Sequence, residues 1–362
     1  MDKQEYRMNL KDLGYDEKLE RFRNEQGYAS FGVGRVISEH KERYKVKTAD
    51  HECDAEIVGN LRFSAQSRSD FPAVGDWVAV SEYDNDKLLI HAVFPRKNML
   101  ERQAVGKKGE TQIIAANIDY AFIVQAVDRD FNLNRIERYL TICNTSGVRP
   151  VVVLNKTDLL DETAVTKLIS LVRERIALVP VLAISNETLQ GIKELKAGME
   201  KGKTYCLLGS SGVGKSTLLN QLAGHNQMKT GSISSSTSKG RHITSHRELH
   251  VLENGGILID NPGMREVGMT DSTRGLEMTF DDIIRLSKDC KYKDCTHTTE
   301  KGCAIIAAVE NEEIDRSSYD NYIRMEREKA HFESTVAEKR KKDKDLGKII
   351  RDYKKNKKMR GL

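Results

Sequence analysis

The octapeptide Gly209-Ser210-Ser211-Gly212-Val213-Gly214-Lys215-Ser216 constrains this chain more than any other stretch of it. It matches G-x-x-x-x-G-K-[ST], follows a short apolar run at 204–208 and opens a helical-period segment at 216–222. That strand–loop–helix context is what the pattern requires. Glycines let consecutive backbone N–H groups curl around phosphate oxygens, and the helix N-terminus adds positive potential. Residues Gly209 to Gly214 and Thr217 are therefore expected to cradle the phosphates. Lys215 reaches the β- and γ-phosphates, and the Ser216 hydroxyl ligates Mg²⁺.

The surrounding pattern agrees. Short apolar runs at 120–127, 150–154, 179–184, 204–208, 248–252 and 256–259 alternate with helical-period segments at 135–143, 162–176, 189–199 and 216–222. Such alternation predicts a parallel sheet covered by helices.

A phosphate loop alone does not choose a base. Asn155-Lys156-Thr157-Asp158 does, because it ends the strand at 151–154, the edge where open α/β sheets bind ligands. A carboxylate accepts two hydrogen bonds from guanine N1–H and N2–H₂, and adenine offers no matching donor pair. Asp158 is thus the discriminator, the Lys156 stem lies over the base, and Asn155 ties the loops together. Ser185, in Ala183-Ile184-Ser185-Asn186, is placed to close the base pocket through backbone contacts. Asp260-Asn261-Pro262-Gly263 follows the last strand and fits D-x-x-G, with Asp260 holding Mg²⁺ through water and the Gly263 N–H sensing the γ-phosphate. Thr244, in the loop before that strand, is the candidate second Mg²⁺ ligand. The order is unusual, since the base motif precedes the phosphate loop. The same sheet is built if a GTPase fold is circularly permuted, which moves the natural termini to loops. The segment after Asp260 then runs directly into a Cys/His region, a mechanical link from nucleotide state to that module.

That region is Cys290-x₄-Cys295-x-His297-x₅-Cys303. Three thiolates and one imidazole within 14 residues suit one tetrahedral, closed, structural Zn²⁺. Cys53, Cys143 and Cys206 are isolated on strand or helix patterns and read as core fillers. At the other end, β-branched and aromatic runs at 34–37, 44–46, 55–58, 76–80 and 88–90 predict about five short strands, best matched by an OB-type barrel. Trp77, the only tryptophan, is read as a core or barrel-end aromatic.

The expected organisation is multidomain: a polar, partly helical arm (1–28), an OB-type β-barrel (29–100), an α/β P-loop GTPase domain with permuted order (101–275), a zinc-binding helical domain (276–338) and a basic tail (339–362). The formal net charge is +5, yet the last 24 residues hold 12 Lys and Arg against 3 Asp. The tail alone is +9, which leaves −4 for residues 1–338. Any polyanion contacts of the body are therefore expected as local patches, with the tail a separate electrostatic arm. No apolar run approaches the ~18 residues of a membrane span, and the N-terminus carries no apolar signal region. A cytoplasmic monomer without membrane contact is expected.

Taken together, these motifs resemble the RsgA family, circularly permuted GTPases dependent on the small ribosomal subunit. The resemblance covers about residues 10–335. It rests on Pro72-Ala73-Val74-Gly75-Asp76-Trp77-Val78, Ala115-Ala116-Asn117-Ile118-Asp119, the base and phosphate motifs, Arg241-His242-Ile243-Thr244, Asp260 through Glu266, and the Cys/His cluster. It implies a GTP hydrolase that binds the small (30S) subunit and its rRNA, with GTP and GDP as ligands. Hydrolysis would be coupled to late subunit maturation and to the enzyme's own release. Two departures stand out: Ile243-Thr244-Ser245 replaces the family's run of threonines, and Asn261 stands where Thr is usual.

Ras-type enzymes orient the attacking water with a Gln just after D-x-x-G, where this chain has Met264. A thioether cannot do that work, so turnover alone is expected to be slow and the site to be completed by another group, His242 first. Two other readings stay open at this point: an RNA-binding module whose nucleotide only times release, and a permuted GTPase acting on another RNA or on the large subunit.

Overall fold

A computed structural model of the chain describes residues 9–40, 43–84, 87–103, 111–224, 247–260, 273–333 and 341. His242, Thr244, Gly263, Met264 and, Lys341 apart, the basic tail lie outside the described residues.

The expected barrel is built from β1 (Gly32–His40), β2 (Arg43–Lys47), β3 (Glu52–Ile57), β4 (Trp77–Tyr83) and β5 (Lys87–Val93). Their spatial order is β1-β2-β3-β5-β4, and β4 returns to pair with β1, so the barrel is closed. All pairings are antiparallel except β3 with β5. A short helix, α2 (Gly59–Ser64), makes the crossover between β3 and β4. Alternation fixes which face is inside: β3 buries every second residue, and Val36, Val46, Ala55, Val78 and Ile90 meet in the barrel core. Closure leaves no free edge for another chain to pair with.

The N-terminal arm is less polar in effect than its composition indicates. Leu13 is fully buried with Trp77, Ala79 and Phe94, and the Tyr15 ring meets Trp77 edge-on with centroids 5.0 Å apart. Asp16 caps α1 (Glu17–Glu25) by accepting from the amides of Lys18 and Leu19.

Met99–Gln103 (β6) and Thr111–Ala116 (β7) form a two-stranded ribbon. The α/β part follows with β8 (Tyr120–Ala126), β9 (Arg149–Asn155), β10 (Val181–Ala183), β11 (Thr204–Leu208), β12 (Arg247–Val251) and β13 (Ile257–Asp260). The sheet order is β10-β9-β8-β11-β13-β12. The first five of these run parallel, whereas β12 is antiparallel to β13. That strand departs from the expected parallel sheet because only a tight turn joins it to β13, with Leu252 N–H bonded to Gly256 O at 2.8 Å. A turn that short permits no crossover.

Successive residues of the central strands face opposite layers. Ile123, Val152, Leu154, Cys206 and Leu208 pack against α3 (Leu133–Ser146) and α4 (Glu162–Arg175) on one side. Phe122, Val124, Val153, Tyr205 and Leu207 pack with α5 (Ile192–Ala197) and α6 (Lys215–Ala223) on the other. Helix α5 is shorter than its 189–199 pattern because Leu189 and Gly191 both take left-handed backbone conformations and delay its start.

Barrel and α/β sheet are continuous. β12 pairs with β1 in the register Ser38↔Glu248 and Glu39↔Arg247, making one sheet of eleven strands. Arg35, 1% exposed, fastens the junction. It donates to the carbonyls of Leu13 (2.6 Å), Gly75 (3.1 Å) and Asn117 (3.3 Å) and to Thr204 Oγ1 (2.9 Å). Burial lowers its guanidinium to about 10, still charged at neutral pH.

By its internal contacts the chain divides into two compact units: residues 1–101 with 113–267, and residues 102–112 with 268–362. The second contains α7 (Thr273–Thr279), α8 (Asp281–Ser287), a Cys/His loop, α9 (Ala304–Glu310) and a helix at 316–333. Its own core gathers Leu276, Phe280, Ile283, Ile305, Tyr322 and Met325. No helix among the described residues is long and apolar enough to cross a membrane.

Candidate functional site

Read across the sheet, the motif strands flank β8 in two adjacent pairs whatever their order in the chain. β13, ending at Asp260, neighbours β11, which feeds residues 209–216. Beyond β8 come β9, ending at Asn155, and β10, leading to Ser185. All of these motifs sit at C-terminal strand ends, where such sheets bind ligands.

The phosphate loop needs its glycines for contact as well as conformation. Gly209 has φ 146° and Gly214 φ 97°, in the region that side chains avoid. A Cβ on Gly209 would lie 2.3 Å from the Val124 carbonyl, and one on Gly214 would lie 2.3 Å from Asn155 Nδ2. The backbone can therefore curl only with hydrogen at both places. Val213 is buried between them, while Ser211 and Ser216 are exposed. Lys215 Nζ donates to the carbonyls of Gly209 (2.7 Å) and Ser210, so its ammonium lies inside the loop. No side chain caps α6 at Gly214, which leaves first-turn N–H groups for an anion. Tyr139, buried on α3, hydrogen-bonds Ser210 from beneath.

The base motif is held from three sides. Asn155, fully buried, donates through Nδ2 to Val213 O at 2.7 Å and accepts from Asn186 N–H at 3.2 Å. It thus ties the two loops, as expected. Lys156 has φ 66° and pairs with Asp128, Nζ to Oδ2 at 2.8 Å, an interaction that holds the Asp128 carboxyl below its ordinary range. Thr157 anchors the turn through both its N–H and Oγ1 to Ile184 O. Ser185 is tied into the base loop through its side chain. Its hydroxyl donates to Asp158 Oδ1 and accepts from the amides of Glu187 (3.2 Å) and Thr188 (3.1 Å).

Asp260 lies opposite Glu248 across the β12–β13 pair. Burial and the Glu248 charge push its carboxyl up to about 7, against the pull of Lys215. A divalent cation would reverse that balance.

The second site is in the other unit. Ligand atoms of Cys290, Cys295, His297 and Cys303 all lie within 4.8 Å of one another. Cys290 Sγ is 3.8 Å from Cys303 Sγ, and His297 Nδ1 is 3.5 and 3.6 Å from those two sulfurs. A tetrahedron with metal–sulfur distances of about 2.3 Å has S···S edges of about 3.8 Å, so the spacing fits one tetrahedral ion. All six cysteines are free, and Cys53, Cys143 and Cys206 are buried in cores as expected.

Several participating residues escape a reading of the chain alone. Asp128 and Tyr139 carry no motif, and Asn186 is only the neighbour of Ser185 in its string. Gln221, which reaches from α6 to Asn186 O at 2.6 Å, carries none either. Glu300 accepts from the amides of Thr296 (2.8 Å), Thr298 (3.0 Å) and Thr299 (3.1 Å) and so folds the ligand loop. The Thr296 hydroxyl, which also donates to it, and these amides hold its carboxyl far below the usual range. The cluster of threonines around one acid was the signal available for it.

Comparisons with known proteins agree with this geometry. A family model described as RsgA GTPase matches residues 93–270. One described as ABC transporter matches residues 192–356, a stretch that shares the phosphate loop but not Asn155 to Asp158. The small ribosomal subunit biogenesis GTPase RsgA 1 of Listeria innocua is 42% identical over 312 residues, 86% of this chain and 87% of that one. Its namesake in Bacteroides thetaiotaomicron is 36% identical over 351 residues, 96% and 98% of the two chains. Among solved structures, YjeQ from Thermotoga maritima matches with TM-score 0.60 and 27% identity, over 84% of this chain and 98% of that one. YloQ, described as a circularly permuted GTPase, matches in fold with TM-score 0.59 at 22% identity, over 86% and 97%.

Proposed function

This chain belongs to the RsgA GTPase family, a GTP-hydrolysing enzyme of ribosome biogenesis, and we propose that it binds the small (30S) ribosomal subunit through rRNA. Hydrolysis there would accompany late maturation of the subunit and trigger the enzyme's release. The supporting observation is the convergence of Asp158, Asn155 and residues 209–216 on the C-terminal strand ends of one sheet, where Asn155 bonds directly to Val213 of the loop.

In this reading Asp158 accepts from guanine N1–H and N2–H₂, and Ser185 holds it for that task. Asn155 and Lys156 fix the base loop. The amides of residues 209–214, with Thr217, bind the phosphates, and Lys215 neutralises charge on the β- and γ-oxygens. Ser216, Asp260 and Thr244 would hold Mg²⁺, which supplies charge neutralisation to the transferring phosphoryl group. Gly263 senses the γ-phosphate. Water attacks the γ-phosphorus as the bond to the bridging oxygen breaks, so GDP and phosphate leave. Met264 cannot orient that water, and His242 is proposed to do so once the subunit completes the site. Turnover is accordingly slow alone and stimulated by the subunit.

We assign Zn²⁺ to Cys290, Cys295, His297 and Cys303 on the donor set and its spacing. The role is structural, since all four positions are filled by the protein. The divisions 1–28, 29–100, 101–275, 276–338 and 339–362 remain our assignment of domains. A cytoplasmic monomer is proposed.

Sedimentation tests the reading. With a non-hydrolysable GTP analogue the chain should co-sediment with purified small subunits and not with large ones, and GDP should release it. Equal binding to large subunits, or binding indifferent to nucleotide, would reject it.

A further inference from the structure

We infer that Asn186 and Gln221 form a brace between the base-reading loop and the phosphate loop, and that this brace sets nucleotide residence time rather than fold stability. The inference rests on the guanine-nucleotide reading of the site. Asn186 touches three elements at once. Its N–H donates to Asn155 Oδ1 (3.2 Å), its Nδ2 donates to Gly214 O (2.9 Å), and its carbonyl accepts from Gln221 Nε2 (2.6 Å). Asn155 completes the circuit by donating to Val213 O. Gly214 is therefore gripped by two amides, and a Cβ there would lie 2.3 Å from Asn155 Nδ2 and 2.6 Å from Asn186 Nδ2. Ser185, which orients Asp158, is the preceding residue in the chain.

The chemistry separates positioning from stabilisation. Both amide nitrogens face main-chain carbonyls, which fixes the orientation of both amides. Asn186 Oδ1 and Gln221 Oε1 then point elsewhere. Both atoms are buried, and neither has a hydrogen-bond partner among the described residues. A buried acceptor without a donor costs the fold more than leucine in its place would. Two such atoms on two linked residues make a poor device for stability. They make a good one for geometry, because the phosphate loop cannot drift from the base loop while the chain Gln221–Asn186–Gly214 holds. A bound nucleotide spans both loops, so its escape requires their separation.

The test measures release of a fluorescent GDP from the full chain by stopped flow, and the thermal midpoint of the nucleotide-free protein. Asn186→Ala, Asn186→Asp and Gln221→Leu should each speed release about five- to tenfold, the equivalent of one lost net hydrogen bond. The Asp variant keeps the shape and loses the donor to Gly214 O. Gln221→Leu should leave the thermal midpoint unchanged or raise it, and it serves where an Asn186 variant folds poorly. Release rates equal to wild type in Gln221→Leu and Asn186→Asp would overturn the brace. So would a fall in midpoint of Gln221→Leu by more than about 5 °C, which would make the contact structural. Failure of the wild-type chain to bind GDP would instead overturn the proposed function.

Discussion

The Ser185 hydroxyl donates to Asp158 while accepting from the amides of Glu187 and Thr188, so one small side chain fixes the rotamer of the carboxylate proposed to read guanine. Ser185 is itself fully buried. Ser185→Ala removes the donor and strands two amides, and it should weaken GDP binding about tenfold by equilibrium titration, with a stability loss of about 1–2 kcal/mol. Asp158→Asn is the sharper variant. An amide presents N–H where guanine also presents N–H, but it matches the C2 carbonyl of xanthine. Guanine nucleotides should lose affinity by at least about a hundredfold while xanthine nucleotides gain. No shift in preference would remove Asp158 from the base contact.

Asp260 carries a pH prediction. Its carboxyl is raised to about 7 in the folded, nucleotide-free chain by burial and by Glu248. An unfolded aspartate titrates near 3.9. Between these values the folded state binds the extra proton, so stability from this group is greatest below about pH 4 and is lost as pH rises to about 7. The cost at pH 8 reaches at most about 4 kcal/mol. Asp260→Asn should therefore raise the thermal midpoint at pH 8 far more than at pH 5, while abolishing Mg²⁺-dependent hydrolysis. Because Mg²⁺ requires the carboxylate, its affinity should fall as pH drops below 7. An equal midpoint gain at both pH values would contradict this account.

How much of this was legible in the sequence follows from how far each contact reaches. The phosphate loop, base motif and Cys/His cluster are local strings whose chemistry needs fixed spacing, and each lies where expected. The barrel strands were legible because β-branched alternation is local too. What escaped are contacts set by sheet order. Lys156 meets Asp128 across 28 residues of chain, and Arg35 meets Thr204 across 169. No pattern within either segment announces such a meeting. The arm was misjudged for a related reason: Leu13 is one apolar residue in a charged stretch, and only the barrel end, with Trp77 beside it, gives it a core to join. β12 was read as one more parallel strand because its hairpin turn resembles any Asn-Gly-Gly loop.

The metal cluster predicts a local, chelator-sensitive unit. Elemental analysis of purified protein should give one zinc per chain. Strong chelation should remove helical circular dichroism corresponding to residues 273–333, and zinc should restore it. The β-rich signal should stay. Cys303→Ser should copy the chelated state, since Cys303 is the most buried ligand and packs in the core of that unit. Thiolates must be deprotonated to bind, so zinc loss should accelerate as pH falls. Helicity unaffected by metal removal would refute a structural role.

His242 is the proposed group that completes hydrolysis on the subunit. A general base or water-orienting residue contributes typically ~10²–10⁴-fold. His242→Ala should lower the subunit-stimulated kcat by at least about a hundredfold in phosphate-release assays with saturating GTP. Co-sedimentation with the GTP analogue should persist, because recognition and chemistry are separate. Stimulated kcat within twofold of wild type would transfer the role to another group.

The charge of the chain makes the last prediction. Residues 339–362 are +9, and the remainder is −4. If the tail neutralises phosphates, binding to the small subunit should weaken steeply with salt, since each neutralised phosphate releases counterions. Deleting residues 339–362 should then flatten the slope of log K against log salt, by up to about 8 for complete neutralisation. GDP affinity should not change, because the phosphate cradle and Asp158 lie in the α/β sheet. The body's own contacts would remain, with a shallow slope, as short-range and specific ones. A full-length slope equal to that of the truncated chain would show that the tail makes no phosphate contacts, and that the −4 body recognises the subunit by itself.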